Sequence, residues 1–207
     1  MVWKLEITLI CGLMAAIGIA KPADAGAGIR VRLYNYASVP QKTLASAKAD
    51  ASAILQTAGV SAGWAECPLG EHDVPKDTAC LLPLSPRDLQ MRILDRGMAK
   101  RVGASRHCLG YALLADGFDS IAAVFFHRAV DLEGTNHAKR ATILGAMMAH
   151  EIGHLLLEKN HHSETGVLRA SWGDEDLKMA AKGRLRFSAE EARSMASMVS
   201  RRIGAGN

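Results

Sequence analysis

Apolar and polar positions along this 207-residue chain change period several times, and each change marks an element. Residues 29–36 alternate, which predicts a half-buried first strand. Residues 44–58 are rich in alanine; Ala45, Ala47, Ala51, Ala53, Ile54 and Leu55 predict a helix with a thin apolar face, stopped at Gly59. Residues 60–67 read as a second strand and residues 89–94, alternating again, as a third. Residues 97–107 read as a polar connection and 109–114 as a further strand, with Asp116-Gly117 as a turn signal. The run 121–130 is the most strand-like stretch, and 131–136 reads as a loop. A long helix is predicted over 137–159, because Ile143, Leu144, Met147, Met148, Ile152, Leu155 and Leu156 recur at helical spacing. Asn160, which tolerates left-handed backbone, is expected to stop it. Residues 174–182 predict a short polar helix. Ser188 and Glu191 form a capping box opening a last helix that reaches about Ile203, with Ala192, Met195, Met198 and Val199 inward. The order predicts an α+β fold: a small mixed β-sheet packed on helices, in a single domain over 26–207.

The pattern before residue 26 is of another kind. Lys4 precedes an apolar run over 7–20, and Ala23-Asp24-Ala25 has the small-x-small character of a signal-peptidase site. Residues 1–25 are therefore read as a cleaved secretory signal, since the run is too short and too abruptly ended to span a membrane comfortably; the alternative is an uncleaved N-terminal anchor. The mature chain is expected to be secreted or periplasmic, with no stable membrane insertion. It retains Cys67, Cys80 and Cys108. An oxidising compartment favours a Cys67–Cys80 disulfide across a loop rich in Pro, Gly and charge, with Cys108 left buried or free.

The candidate chemistry lies in the long helix, at His150-Glu151-Ile152-Gly153-His154. Helix positions four apart share a face, so His150 and His154 present two imidazoles to one point. That pair suits Zn²⁺, which takes neutral imidazole nitrogen at about 2.0–2.1 Å. Glu151 is placed to reach a water beside such an ion and to act as its general base. A third ligand requires the chain to reverse after the helix. His162, eight residues past His154, is the expected one; His161, Glu164 and Glu175 are the alternatives. Tyr34, Tyr36 and Tyr111 could each supply a hydrogen bond to a transition state, and the sequence selects none of them. His72, His107, His127 and His137 have no partner at ligand spacing and are assigned to the surface or to ordinary hydrogen bonding.

From His150 to Trp172 the sequence resembles the zincin metallopeptidases, and among them the metzincins. Metzincins carry a third His six residues after the second, a position held here by Asn160; the spacing here runs instead to His162. The sequence looks most like uncharacterised secreted bacterial proteins with this longer spacing and a Thr-Gly-Ile-Met-like turn, in which Leu168 stands where the Met would be. The resemblance implies that His150, His154 and His162 bind zinc and leave a fourth position for water. It implies that Glu151 is base and proton shuttle, that the substrate is a peptide or protein, and that 121–130 is the edge strand along which that substrate lies extended.

Charge and composition narrow the remaining classes. The net charge of +4 is unchanged by signal cleavage, because Lys4 and Lys21 leave with Glu6 and Asp24. The basic residues are dispersed and only 5% of residues are aromatic, so no nucleic-acid surface is expected. The competing class is an exported zinc-binding or interaction domain without turnover, and Glu151 is the residue that speaks against it.

Overall fold

A computed structural model describes residues 28–70, 73–115, 119–135 and 137–204. The segment read as a signal, His72, and the Asp116-Gly117 turn lie outside them. Five strands form one mixed sheet: β1 (Gly28–Asn35), β2 (Ser61–Glu66), β3 (Asp88–Leu94), β4 (Gly110–Leu113) and β5 (Ile121–Phe125), in the order β2-β1-β3-β5-β4. All neighbours are parallel except β4 and β5, which pair antiparallel. The helices are α1 (Gln41–Thr57), α2 (Arg96–Arg101), α3 (Phe126–Glu133), α4 (Arg140–Leu157), α5 (Asp174–Ala181) and α6 (Ala189–Gly204). The expected α+β fold, a mixed sheet on helices, is the one observed.

Alternation along the strands decides what each sheet face meets. Ile29, Val31 and Leu33 of β1, Leu89, Met91 and Ile93 of β3, and Ala122 and Val124 of β5 point to one side, into the main core. Helices α1, α4 and α6 cover that side. In α1 the buried positions are Leu44, Ala47, Ala51 and Leu55, a stripe at strict helical spacing; Ala45 and Ala53, expected inside, are exposed. Gly59 does stop this helix, at a φ of 73°. Helix α4 lies in the middle, against α1, α3, α5, α6 and three strands. Every residue from Ile143 to Leu156 is buried, so it is a core helix rather than an amphipathic one. Gly145 allows α1 to cross closely: a Cβ there would stand 2.6 Å from the Ala47 carbonyl oxygen and 2.8 Å from Asp50 Cβ.

The other face is covered without long helices. Arg32, on the strand side expected to be polar and wet, is only 4% exposed. Its guanidinium donates to the carbonyls of Leu82 (2.7 Å) and Pro83 (2.8 Å) and to Asp88 (2.9 Å). Asp88 also accepts from Arg30 at 2.5 Å and from the backbone and hydroxyl of Ser85 at 2.8 and 2.9 Å. The stretch of chain leading into this roof, from residue 67 to residue 80, is closed by the Cys67–Cys80 disulfide, as expected, with Cα atoms 5.5 Å apart.

Three readings need correction. Residues 121–130 are not one strand: β5 ends at Phe125 and α3 follows directly, taking in the first half of the segment expected to be a loop. Nor is β5 the sheet edge, since β4 pairs outside it. The stretch expected to be a polar connection holds all but the first residue of α2, whose first turn is capped by Asp95 accepting from Met98 N at 2.6 Å.

Candidate metal centre

Helix α4 brings His150, Glu151 and His154 to one buried patch, each less than a tenth exposed. Both rings are anchored through Nδ1. His150 Nδ1 lies 2.7 Å from the Val167 carbonyl oxygen and His154 Nδ1 lies 2.8 Å from that of Lys159. A carbonyl only accepts, so each Nδ1 carries the proton and each Nε2 of a neutral ring carries a lone pair. The two Nε2 atoms face each other at 3.0 Å.

The chain reversal that follows is made at Glu158 and not at Asn160. Glu158 has φ 51°, the left-handed conformation, and its N–H bonds back to the His154 carbonyl. This turn aims the Lys159 carbonyl at the His154 ring and returns the chain across the helix. His162 then stands with its ring centroid 5.3 Å from that of His150 and 4.9 Å from that of His154. Ligand atoms of His150, His154 and His162 all lie within 4.8 Å of one another, and this is the three-residue group so arranged among the described residues. His161, Glu164 and Glu175 are not part of it. Leu168 is buried and lies beneath the helix, where its Cδ2 would be 3.1 Å from a Cβ at Gly153.

Burial governs the electrostatics. It lowers the pKa of His150 to about 3 and lowers those of His154 and His162 too, the neighbouring imidazoles adding to the effect. At neutral pH the rings are uncharged, the state in which imidazole binds a metal. Two facing lone pairs repel unless a proton or a cation sits between them, and burial opposes the proton. The donor set therefore fits a metal ion: neutral nitrogens, hydrogen-bonded behind, converging in front. Glu151 responds to burial in the opposite sense and is pushed up to about 8.

The group opens into a cleft of about 420 Å³, walled on one side by β4 and the chain before it, and on the other by the loop after α4. Gly110 and Tyr111 line the first wall, and Asn160, His162 and Ser171 the second. Gly110 was not singled out from sequence, although a glycine inside a strand often marks a close approach. Here a Cβ would stand 2.6 Å from Glu151 Oε1. Of the candidate tyrosines, Tyr111 alone is among the cleft residues, and His107 joins it. Cys108 also lines the cleft; its thiol donates to the Gly110 carbonyl at 2.7 Å, and burial pushes its pKa up. His137 pairs with Asp174 at 3.3 Å, apart from the centre.

No protein-family model and no curated protein matches this sequence. Solved structures similar to it include the following two. An archaemetzincin (amzA) from Methanopyrus kandleri has a TM-score of 0.45 and 15% identity, over 88% of this chain and 99% of that one. A zinc-dependent peptidase from Methanocorpusculum labreanum (strain Z) has a TM-score of 0.50 and 15% identity, over 80% of this chain and 99% of that one. At such identity the likeness is one of fold alone: this chain shares its arrangement of mixed sheet and helices with the solved zinc-dependent peptidase, and it carries a histidine triad able to hold a metal ion.

Proposed function

We propose that this chain is an exported zinc-dependent peptidase whose metal ligands are His150, His154 and His162 and whose general base is Glu151. The observation that carries the reading is the convergence of the three imidazoles, two of them fixed by carbonyl acceptors, beside a carboxylate that faces a cleft. The peptidase in the solved structure is described as zinc-dependent, which supports zinc as the ion and a peptide as the substrate class. Zinc, when bound, lowers the pKa of a water and polarises a carbonyl. Glu151 takes the proton released as water attacks the peptide carbonyl and returns it to the departing amine. A cation beside Glu151 counteracts the rise that burial imposes, so the carboxylate is available as a base near neutral pH.

Strand β4 is the free edge of the sheet next to the cleft. An extended peptide adding there takes its affinity from main-chain hydrogen bonds, which leaves sequence preference to the pockets beside them. Export rests on the reading of residues 1–25 as a signal, and the Cys67–Cys80 disulfide accords with an oxidising compartment. No helix among the described residues is long and apolar enough to cross a membrane.

The test is a comparison of three preparations. Wild type should hold one zinc per chain and cleave a mixed peptide library. Glu151→Gln should keep the zinc and lose hydrolysis by about 10²–10⁴-fold. His162→Ala should lose the zinc. Equal hydrolysis by wild type and Glu151→Gln would leave the non-catalytic zinc-binding domain as the better reading.

A further inference from the structure

The three imidazoles are not held equally. His150 and His154 sit on a buried helix, each with its second nitrogen on a backbone carbonyl. His162 is exposed, belongs to the loop after α4, and neither of its ring nitrogens has a hydrogen-bond partner among the described residues. A ligand without a partner behind it is normally poorly oriented. What fixes His162 has to act through its backbone.

The neighbouring residue is tied down on every side. Ser163 N donates to the Leu168 carbonyl at 2.9 Å, and Ser163 forms a bridge with Arg169. Its hydroxyl donates to Glu191 Oε1. The other oxygen of that carboxylate accepts from Ser188 N at 2.7 Å, while Glu191 N donates to Ser188 Oγ at 3.2 Å. Glu191 thus does two things: it closes the capping box of α6 and it grips the residue after His162. Helix α6 packs on α4, which carries the other two imidazoles. The same stretch of chain grips the loop a second time, where Val167 N donates to the Arg186 carbonyl at 3.0 Å; Val167 is the residue whose carbonyl anchors His150.

We infer that Glu191, acting through the Ser163 hydroxyl, is the positioning residue for His162: it transmits the placement of α6 to the loop ligand. This rests on His162 being the third ligand. A capping box alone requires only Ser188 and Glu191, so a hydroxyl at residue 163 would then be dispensable. If the carboxylate positions His162, that hydroxyl is needed for metal affinity and hardly at all for folding.

The experiment measures zinc affinity of the full mature chain by competition with a chromophoric chelator, and melting temperature without metal, for five variants. Ser163→Ala should weaken zinc binding by about 10–100-fold with a metal-free melting temperature close to wild type. Ser163→Thr, which keeps a hydroxyl, should restore most of the affinity. Ser188→Ala loosens the cap and leaves the Ser163 contact, so it should lower the melting temperature with little change in affinity. Glu191→Ala should do both. Wild-type affinity in Ser163→Ala overturns the inference, as does a loss in Ser188→Ala as large as that in Ser163→Ala. The fifth variant, His162→Ala, separates the two levels. If it binds zinc as wild type does, the ligand assignment falls and this inference with it. If it loses zinc while Ser163→Ala does not, only the positioning role is removed.

Discussion

Gly110 of β4 lies directly against the carboxylate of Glu151 on α4, so close that a single added methyl group would reach 2.6 Å from Oε1. The same methyl would collide with the Ala123 carbonyl oxygen across the hairpin. Backbone cannot yield as a flexible side-chain end can. Gly110→Ala should therefore cost about 1–3 kcal/mol and displace Glu151. Urea unfolding measures the first effect. The second predicts a fall in kcat with zinc content unchanged.

Without metal, the centre should have an unusual pH profile. His150 has a folded pKa of about 3, below its unfolded value near 6.5, so the unfolded chain binds more protons between those values and stability falls as pH drops through that window. Glu151 has a folded pKa of about 8, above an unfolded value near 4.5, so its contribution is complete below pH 4.5 and is lost as pH rises towards 8. Between about pH 4.5 and 6.5 the two slopes oppose each other. Above 6.5 only Glu151 remains, and metal-free stability should decline by up to about 1.4 kcal/mol per pH unit. Saturating zinc should flatten that decline. Chemical unfolding from pH 6.5 to 8, with chelator or with zinc, checks it; identical slopes would refute it.

Asp88 is the centre of gravity of the opposite sheet face. Burial would raise its pKa, but Arg30, Arg32 and Ser85 together hold the carboxyl well below the usual range. Its stabilising effect is thus present above an unfolded value near 4 and is lost as pH falls below it. Asp88→Asn leaves the Arg32 guanidinium buried without its counter-charge and should cost about 3–5 kcal/mol, read from urea denaturation at pH 7.

Glu158 occupies left-handed backbone at the end of α4, a conformation that costs a side-chain-bearing residue roughly 1–2 kcal/mol. Glu158→Gly should raise stability by about 1 kcal/mol, the greater freedom of unfolded glycine offsetting part of the gain. Zinc affinity should not move, because the turn and the Lys159 carbonyl stay where they are. A thermal melt and a zinc titration together test this.

The sequence made the centre more legible than the sheet around it. His150, Glu151 and His154 belong to one helix, so spacing alone places them on a patch; His162 needed only a reversal of the chain. Residue preference points to Asn160 for the reversal, whereas the buried face of the helix ends at Leu156 and the helix itself at Leu157. Residues 126–130 have the composition of a strand, but β5 has to stop with Leu94, its last partner on β3, and the chain turns into α3 with Ala129 as its buried residue. Arg32 looked wet because alternation assigns it to the polar face. Only a loop from 50 residues downstream covers it, and local pattern carries no record of that contact. Strand order has the same cause: β3 and β5 pair across an intervening excursion through β4, which nothing in either strand announces.

The disulfide-closed roof and the histidine triad lie on opposite sides of one sheet, since Arg32 points away from the helical layer that holds α4. Reduction of Cys67–Cys80 should therefore open one side of the molecule to a protease while the imidazoles keep their hold on a cation. If the proposed function holds, a chain left unoxidised would be short-lived rather than inactive. Covalent maturation would set how long each copy survives, and not how fast it turns over.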